Sequence, residues 1–212
     1  MITVWGRATS SNVQVVMWAI NELGLEHERI DWGGSFGGND EPFYREMNPN
    51  GLVPTVRDGD IVLWESQAVL RYLGARYGDE NFWPTGSAKR ARLDMWSEWV
   101  KTSVLPALTY QVFWQLVRVP AAERSQAITN DGAAKLKTLM PMADARLGEG
   151  PFLGGEELSF ADISLGTSLY RYYTLDFERA ATPNLDAYYA RLQERKAYRD
   201  HAMVSYESLK VS

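Results

Sequence analysis

Four polar residues, Thr9-Ser10-Ser11-Asn12, separate a short β-type segment from a stretch of helical periodicity that starts near Val13. Serine and asparagine often occupy such a position only to cap the helix that follows. Their hydroxyl and amide groups could instead donate hydrogen bonds to a bound thiol. Together with the positive end of the helix, such donors lower the pKa of a thiol and keep it as the reactive thiolate. The segment therefore predicts either a helix cap or a site of thiol activation.

A second segment, Asn48-Pro49-Asn50-Gly51-Leu52-Val53-Pro54, ends in a proline at the start of the next β-type run. A proline there cannot donate an N–H to the strand ladder. A cis Val53–Pro54 bond would leave the N–H and C=O of Val53 free, and a peptide ligand could then pair with them like an added strand. Only about one X–Pro bond in twenty is cis in folded proteins, so a lone Val-Pro pair predicts a trans bond. The neighbouring segments favour the cis bond here.

The third segment, Trp64-Glu65-Ser66-Gln67, lies where a strand gives way to a helix. Ser66 suits the N-cap position, and capping alone would account for it. Free N–H groups at the positive end of the helix would also hold a carboxylate, while Glu65 could accept from an ammonium group. An α-amino acid carries both charges on one carbon. The pair Glu65-Ser66 therefore fits the γ-glutamyl end of glutathione.

The elements that must position these segments alternate between strand and helix over the first 78 residues. The order β-α-β, loop, β-β-α is that of a thioredoxin-like domain. A strand–helix–strand unit favours a parallel first pair, and Asp58-Gly59-Asp60 between two β runs predicts a hairpin. Strands are predicted at residues 2–5, 28–32, 53–57 and 61–64, and helices at 13–23 and 66–77.

Beyond a turn-rich linker at residues 79–87, the periodicity predicts only helices. These cover residues 88–117, 122–147, 159–173 and 182–200, and Pro106 is expected to kink the first of them. The fold class is therefore an α/β thioredoxin-like domain, residues 1–80, followed by an all-α domain, residues 88–212.

The amino-acid composition excludes several classes of site and function. The chain has no cysteine, which excludes disulfides, thiolate metal sites and a cysteine nucleophile of its own. Its two histidines, His27 and His201, match no metal-ligand spacing. The first 80 residues carry 6 arginines and no lysine against 12 acidic residues, and no basic stripe suggests nucleic-acid binding. No apolar run is long enough to cross a membrane, and Met1 to Trp5 has no secretory pattern. We expect a cytoplasmic protein without a metal.

Each of the three segments is a weak signal alone, but their order and spacing are specific. Ser10-Ser11-Asn12, the Asn48–Pro54 segment and Glu65-Ser66-Gln67-Ala68-Val69 resemble the cytosolic glutathione transferase family, in a bacterial type with a serine or asparagine in the active site. Leu158-Ser159-Phe160-Ala161-Asp162 resembles that family's helix-capping box. The resemblance covers nearly the whole chain and implies the glutathione transferase fold and a two-fold homodimer. In the dimer, the first domain of one subunit would contact the helices of the other.

The resemblance also implies roles for individual residues. Val53 and Pro54 would hold the cysteinyl backbone of glutathione, and Glu65 and Ser66 its γ-glutamyl end. Ser10 matches the catalytic serine of the zeta and delta classes, while Asn12 matches the asparagine of the nu class. We rank Ser10 first, Asn12 second and Ser11 third as the group that activates the thiol. For the glycyl carboxylate the candidates are Phe36 with its glycine-rich loop, Asn50 and Arg45.

The electrophile should bind where the helical domain faces the thiol. Arg118 could meet an anionic substrate there, although a solvated arginine is the ordinary alternative. Aromatic residues at helical spacing are usually core, so packing is the alternative for each of them. We predict Tyr110, Phe113, Trp114 and Arg118 for this site, with Trp96, Trp99, Tyr170 and Tyr173 as further aromatic candidates.

The predicted activity is transfer of glutathione, as co-substrate, to a small hydrophobic electrophile. Two alternatives stay open. One is another glutathione reaction on the same fold: peroxide reduction, disulfide reduction or an isomerisation. The other is a non-catalytic member of the family that binds glutathione or other ligands without turnover.

Overall fold

One four-stranded sheet forms the centre of the first part of the molecule. The computed structural model describes residues 1–211 and orders the strands β2-β1-β3-β4. β1 pairs in parallel with β2, whereas β3 is antiparallel to β1 and β4. The parallel pair and the hairpin are confirmed, and Gly59 takes the positive φ of +60° that the tight turn requires. The strands are β1 Ile2–Trp5, β2 His27–Ile30, β3 Thr55–Asp58 and β4 Ile61–Trp64.

Three helices accompany this sheet: α1 Ser11–Glu22, α2 Pro42–Met47 and α3 Ser66–Tyr77. The sequence analysis missed α2, because six residues show too little periodicity to stand out from a loop. Its buried Tyr44 donates from its hydroxyl to the carbonyl oxygen of Leu52 at 2.7 Å. Asn48 donates to the same oxygen at 2.8 Å. The short helix therefore holds the loop that leads to Val53.

The rest of the described chain is helical, as predicted. No helix within residues 1–211 is both long enough and apolar enough to cross a membrane. The α-helices are α4 Ser87–Trp99, α5 Gln126–Leu147, α6 Phe160–Thr174, α7 Pro183–Gln193 and α8 Lys196–His201.

The helix predicted at residues 88–117 changes its winding partway. After α4 the chain continues as two π-helical segments, π1 Val100–Val104 and π2 Pro106–Arg118, joined through Leu105, whose φ and ψ of −62° and −39° are helical. Pro106 lies inside this continuous helical stretch, where its missing N–H removes one backbone hydrogen bond. π-type hydrogen bonds reach from residue i to i+5, so each turn holds more residues than an α-helix. Side chains spaced four or five residues apart consequently share one face.

The prediction of a single helix at residues 182–200 is wrong, because the structure has two helices there, α7 and α8. No proline or glycine marks the break, so the sequence pattern alone does not show it. Arg195, at the break, turns its guanidinium to the Glu22 carboxylate of α1, with Nε at 3.0 Å. This contact with a distant helix takes precedence over local helical propensity.

Helix α6 joins the two parts of the molecule and is almost entirely buried. Its Gly166 lies against Trp18 of α1, where an added Cβ would come within 2.6 Å of the indole ring. The predicted capping box is present at the start of α6. The Asp162 carboxylate accepts from the N–H groups of Ser159 and Leu153 at 2.8 and 2.9 Å.

Candidate functional site

A cavity of about 340 Å³ lies between the loops of the α/β part and the helices. It brings the predicted thiol-activating segment together with the predicted electrophile residues, although the two sets are about a hundred positions apart in the chain. From the α/β part the lining consists of Arg7, Thr9, Ser10, Ser11, Asn12, Asn39, Leu52 and Val53; from the rest it consists of Lys101, Leu105, Thr109, Tyr110, Phe113, Trp114, Arg118, Arg171 and Leu209.

The amino end of α1 forms one wall of this cavity. Ser10 is the N-cap residue, with an extended backbone (φ −81°, ψ 122°), but its side chain makes no capping hydrogen bond. Capping therefore does not explain this serine, and its hydroxyl stays available to a ligand. The first N–H groups of an α-helix have no partner within the helix, and the helix dipole makes this end positive. Hydroxyl, N–H groups and dipole all favour an anion beside Ser10.

The amino ends of α1 and α3 lie side by side. The Ser66 hydroxyl donates to the side-chain oxygen of Asn12 at 3.3 Å, which ties the second predicted activating residue to the third segment. The sequence analysis gave Ser66 as a candidate N-cap residue. In the structure Ser66 is instead the first residue of α3. Glu65 takes the cap position with φ at +67°, the one positive φ outside glycine in residues 1–211. The chain thus turns one residue earlier than expected.

Such a backbone conformation is costly for a residue with a side chain and persists mainly at functional sites. The Glu65 carboxylate is exposed and forms no ion pair within the described part of the chain. Its side chain is therefore free to accept from an ammonium group beside the amino end of α3.

The Val53–Pro54 peptide bond is cis, which confirms the prediction. Within residues 1–211 neither the N–H nor the C=O of Val53 takes part in a hydrogen bond. Val53 lines the cavity, and the half-buried Asn39 beside it has a buried side-chain oxygen with no hydrogen-bond partner in the described chain. This wall therefore presents two acceptors and a donor to a peptide-like ligand.

Five predicted glutathione-binding residues do not line the cavity itself. Ser66 adjoins it through Asn12, and Glu65 precedes Ser66. Pro54 lies behind Val53 and is buried, whereas Phe36 is 57% exposed and Asn50 is also exposed. The roles of these five residues stay predictions.

Comparison with known proteins identifies the family. The model of the glutathione S-transferase N-terminal domain matches residues 1–75, and that of the C-terminal domain matches residues 125–191. Glutathione S-transferase GstB of Escherichia coli strain K12 is 36% identical over 206 residues, which cover 96% of this chain and 99% of that protein. The chain belongs to the glutathione S-transferase family.

Solved structures agree with this assignment. A theta class glutathione S-transferase from Xanthomonas axonopodis pv. citri, with glutathione bound, matches this transferase with a TM-score of 0.90 and 42% identity. The match covers 96% of this chain and 98% of that one. Glutathione transferase F2 from Populus trichocarpa matches with a TM-score of 0.80 and 26% identity, over 94% and 96% of the two chains. The predicted fold class is therefore confirmed.

Sequence analysis missed two arginines of the transferase's cavity. Arg171 of α6 is buried, donates to the carbonyl oxygen of Thr9 at 2.8 Å, and lies 4.1 Å from the centre of the Phe113 ring. Burial, followed by repulsion from Arg7, lowers the pKa of Arg171 to about 10. Burial and then Arg118 also lower the pKa of Arg7. Arg171 shares α6 with just one other charged residue, Asp162. A nearly uncharged helix is typical of a buried one, and this was the sequence signal that could have indicated a buried arginine.

The other aromatic candidates lie outside the cavity lining. Tyr173 donates to Asp186 at 2.6 Å and stacks on Tyr189 with 4.5 Å between ring centres. Trp96 and Trp99 pack edge-to-face on each other at 5.3 Å. Tyr170 packs edge-to-face on Tyr206 at 6.0 Å, so packing, the ordinary alternative for such residues, accounts for all four. Within residues 1–211, no group of three or more His, Cys, Asp or Glu side chains is arranged to hold a metal ion.

Proposed function

We propose that this glutathione transferase activates the glutathione thiol at the amino end of α1 and transfers it to an electrophile bound on π2. The observation that carries the proposal is the shared cavity, in which Ser10 and Asn12 face the same space as Tyr110, Phe113 and Trp114. Residues 1–80 would bind glutathione and residues 88–212 would supply the electrophile site. Cytoplasmic glutathione is kept reduced, so the proposal keeps the predicted cytoplasmic location.

Glutathione would lie along two backbone features of the first domain, at Val53 and at the start of α3, and beside the side chain of Glu65. Its cysteinyl backbone pairs with the free N–H and C=O of Val53. Its γ-glutamyl carboxylate meets the N–H groups that open α3 at Ser66, and its ammonium group meets Glu65. The glycyl end is directed towards Asn39, with Phe36 and Asn50 proposed beside it, because the amide nitrogen of Asn39, which lines that wall, can donate to a carboxylate.

The chemistry follows from where the thiol then lies. Ser10 donates a hydrogen bond to the thiolate, and the positive end of α1 adds to its stability, so more of the bound thiol is ionised at neutral pH. The thiolate sulfur attacks the electrophilic carbon, a carbon–sulfur bond forms, and the leaving group departs with its bonding electron pair. Tyr110, Phe113 and Trp114 hold the apolar body of the electrophile against π2.

An electrophile panel tests the proposed activity. The chain is expected to conjugate an aryl halide when glutathione is present and not when it is absent. Cumene hydroperoxide and a glutathionylated disulfide are the other two substrates of the panel. If the protein turns over one of these two substrates but conjugates no aryl halide, its activity is peroxide or disulfide reduction and not transfer. Tight glutathione binding without turnover of any substrate would indicate a non-catalytic member of the family.

Replacing Glu65 by alanine is expected to weaken glutathione binding roughly 10- to 100-fold, because hydrogen bonds to charged groups contribute about 1.5–3 kcal/mol each. Isothermal titration calorimetry measures the effect. Glu46→Ala is the matched control, since Glu46 is an exposed carboxylate of the same domain with no hydrogen bond in the described chain. Equal glutathione affinity in the Glu65 variant and the control would remove Glu65 from the site.

The proposed homodimer has a surface available to it. Exposed apolar side chains lie on the edge strand β4 and on α4: Ile61 is 43% exposed, Trp64 37% and Met95 64%. A stable dimer buries about 800 Å² on each partner, and such a face would contribute to that area. Met95→Lys is expected to weaken the dimer, whereas Met142→Lys, on an exposed methionine of α5, is not. Sedimentation of the wild type as a 24.0 kDa monomer at micromolar concentration would contradict the dimer.

A further inference from the structure

The cavity is positively charged, although the chain as a whole is acidic. The formal net charge of the protein is −5 at pH 7. Every ionisable side chain lining the cavity, apart from the Tyr110 hydroxyl, is nevertheless basic, and no aspartate or glutamate lines it. The four cations are Arg7, Lys101, Arg118 and Arg171.

These cations are not neutralised by carboxylates of the protein. Eleven ion pairs occur within residues 1–211, and none includes a cation of the cavity. Two of the guanidinium groups lie instead against aromatic rings, Arg118 at 5.6 Å from the centre of Trp114 and Arg171 at 4.1 Å from that of Phe113. The ring faces partly stabilise the charges but leave their N–H groups available.

Arg171 is the best-positioned donor of the set. It is only 5% exposed, and its one side-chain hydrogen bond in the described chain is from Nη2 to the carbonyl oxygen of Thr9. A buried guanidinium without a carboxylate partner is unfavourable. The lowered pKa values of Arg7 and Arg171 reflect burial and, second, repulsion from a neighbouring arginine, Arg118 for Arg7 and Arg7 for Arg171. A bound anion would compensate the positive charge of these guanidinium groups.

One anion of the reaction is glutathione itself, and Arg7 lies on its side of the cavity. A Cβ added to Gly33 would lie 3.0 Å from Val53 and 3.5 Å from Arg7 Nη1, so Arg7 adjoins the loop that presents Val53. Arg118 on π2 and Arg171 on α6 belong to the helical domain, beside Phe113 and Trp114. Both guanidinium groups thus lie against predicted electrophile residues.

We propose that the electrophile of this transferase carries a carboxylate or a similar anionic group, and that Arg118 and Arg171 bind it while the aromatic residues of π2 hold its apolar part. The inference rests on the proposed function and specifies its substrate class. Arg118 determines specificity in this arrangement, because it lies at the end of π2 and its side chain has no hydrogen bond or ion pair within the described residues.

Two aryl chlorides of nearly equal shape test the charge preference. In both 4-chloro-3,5-dinitrobenzoate and 4-chloro-3,5-dinitrobenzamide, the glutathione sulfur forms a bond to the carbon bearing chlorine, and chloride leaves with the electron pair of the broken bond. Wild type is expected to show the higher kcat/KM with the benzoate. Arg118→Gln should lower kcat/KM for the benzoate about 10- to 100-fold more than for the benzamide, the factor of one charged hydrogen bond.

Arg124→Gln is the matched control. Arg124 is exposed on the loop after π2 and does not line the cavity, so the same loss of charge there should leave the benzoate-to-benzamide ratio unchanged. An equal change of this ratio in both variants would show general electrostatic attraction and overturn the proposal. The proposal would also be overturned if the only defect of Arg118→Gln were a raised KM for glutathione. The Arg118 guanidinium would then belong to the glutathione site.

A binding experiment separates failure of this inference from failure of the proposed function. Calorimetry with unreactive 3,5-dinitrobenzoate and 3,5-dinitrobenzamide needs no turnover. Tighter binding of the benzoate, lost in Arg118→Gln, supports the anionic site even if neither chloride is conjugated. Equal binding of the two compounds overturns it even if both chlorides are good substrates.

Discussion

The Ser10→Ala variant is expected to conjugate glutathione to an aryl halide about a hundredfold more slowly than wild type at neutral pH, the usual effect of losing one donor to an anion in an active site. Ser10 lines the cavity at the amino end of α1, and its hydroxyl does not cap the helix. Without it the pKa of the bound thiol rises. The deficit should shrink as pH increases, because the thiolate then forms without help from the protein.

The pH dependence of kcat/KM, measured for wild type, Ser10→Ala and Asn12→Ala, checks this assignment. Asn12→Ala should show a smaller deficit of the same form if its side-chain amide N–H is the second donor, since its oxygen accepts from Ser66 and only the nitrogen can donate. If Asn12 is the principal donor, the two magnitudes should exchange. If both variants keep the wild-type profile, activation lies with Ser11 or with backbone N–H groups, and the ranking is wrong.

Replacing Asp162 by alanine is expected to lower the free energy of unfolding by about 3–5 kcal/mol, because each buried donor left without a partner costs about 1–3 kcal/mol. Asp162 is fully buried and accepts hydrogen bonds from two backbone N–H groups, from the Ser159 hydroxyl at 2.8 Å and from the Tyr188 hydroxyl at 3.1 Å. Alanine would leave the two N–H groups and the Ser159 hydroxyl buried without this partner, and Tyr188 would keep only its 3.4 Å bond to the carbonyl oxygen of residue 162. Helix α6, which also carries Arg171, would lose its cap.

Urea unfolding at one fixed protein concentration measures this change, since association with a second copy would also shift apparent stability. Asp176→Ala is the matched control. Asp176 is exposed just after α6, makes no hydrogen bond in the described chain, and should change stability by less than about 0.5 kcal/mol. A similar small loss in the Asp162 variant would mean that the capping box does not hold α6 in place.

Local signals predicted most of the fold. Asp58-Gly59 between two β runs gave the hairpin, and the Ser159–Asp162 box gave the start of α6, because turn and cap preferences depend on a few adjacent residues. The order of strands and helices then selected one topology. Two features were not predicted. Helix α2 is too short for a periodic pattern, and the break between α7 and α8 depends on a tertiary contact, that of Arg195 with Glu22.

The candidate site was predicted unevenly for a related reason. Ser10, Asn12 and Val53 stand in segments whose residue types indicate chemistry, and Tyr110, Phe113 and Trp114 follow from a resemblance together with an aromatic stripe. All six line one cavity, while their roles stay proposals. Arg171 was missed although it is one of only two charged residues of α6, because an arginine within a helix is ordinarily solvated. Only the packing of α6 on α1 shows that it is buried beside Thr9.

π-helical winding also has no recognisable pattern in the sequence. An α-helical interpretation of residues 100–118 would spread Lys101, Leu105, Tyr110, Trp114 and Arg118 around the helix. The wider turn of π1 and π2 aligns them along the cavity. The composition of the electrophile site therefore depends on a backbone feature that residue propensities do not encode.

The most direct test of thiol activation is the pKa of glutathione bound to the protein, titrated through the ultraviolet absorbance of the thiolate. A free cysteine thiol has a pKa of about 8.5, and thiols at helix amino ends reach about 7.5 or lower. We expect wild type to hold the bound thiol at or below about 7.5, and Ser10→Ala to return it towards the free value. Glutathione that binds to wild type with an unchanged thiol pKa would contradict activation at the amino end of α1.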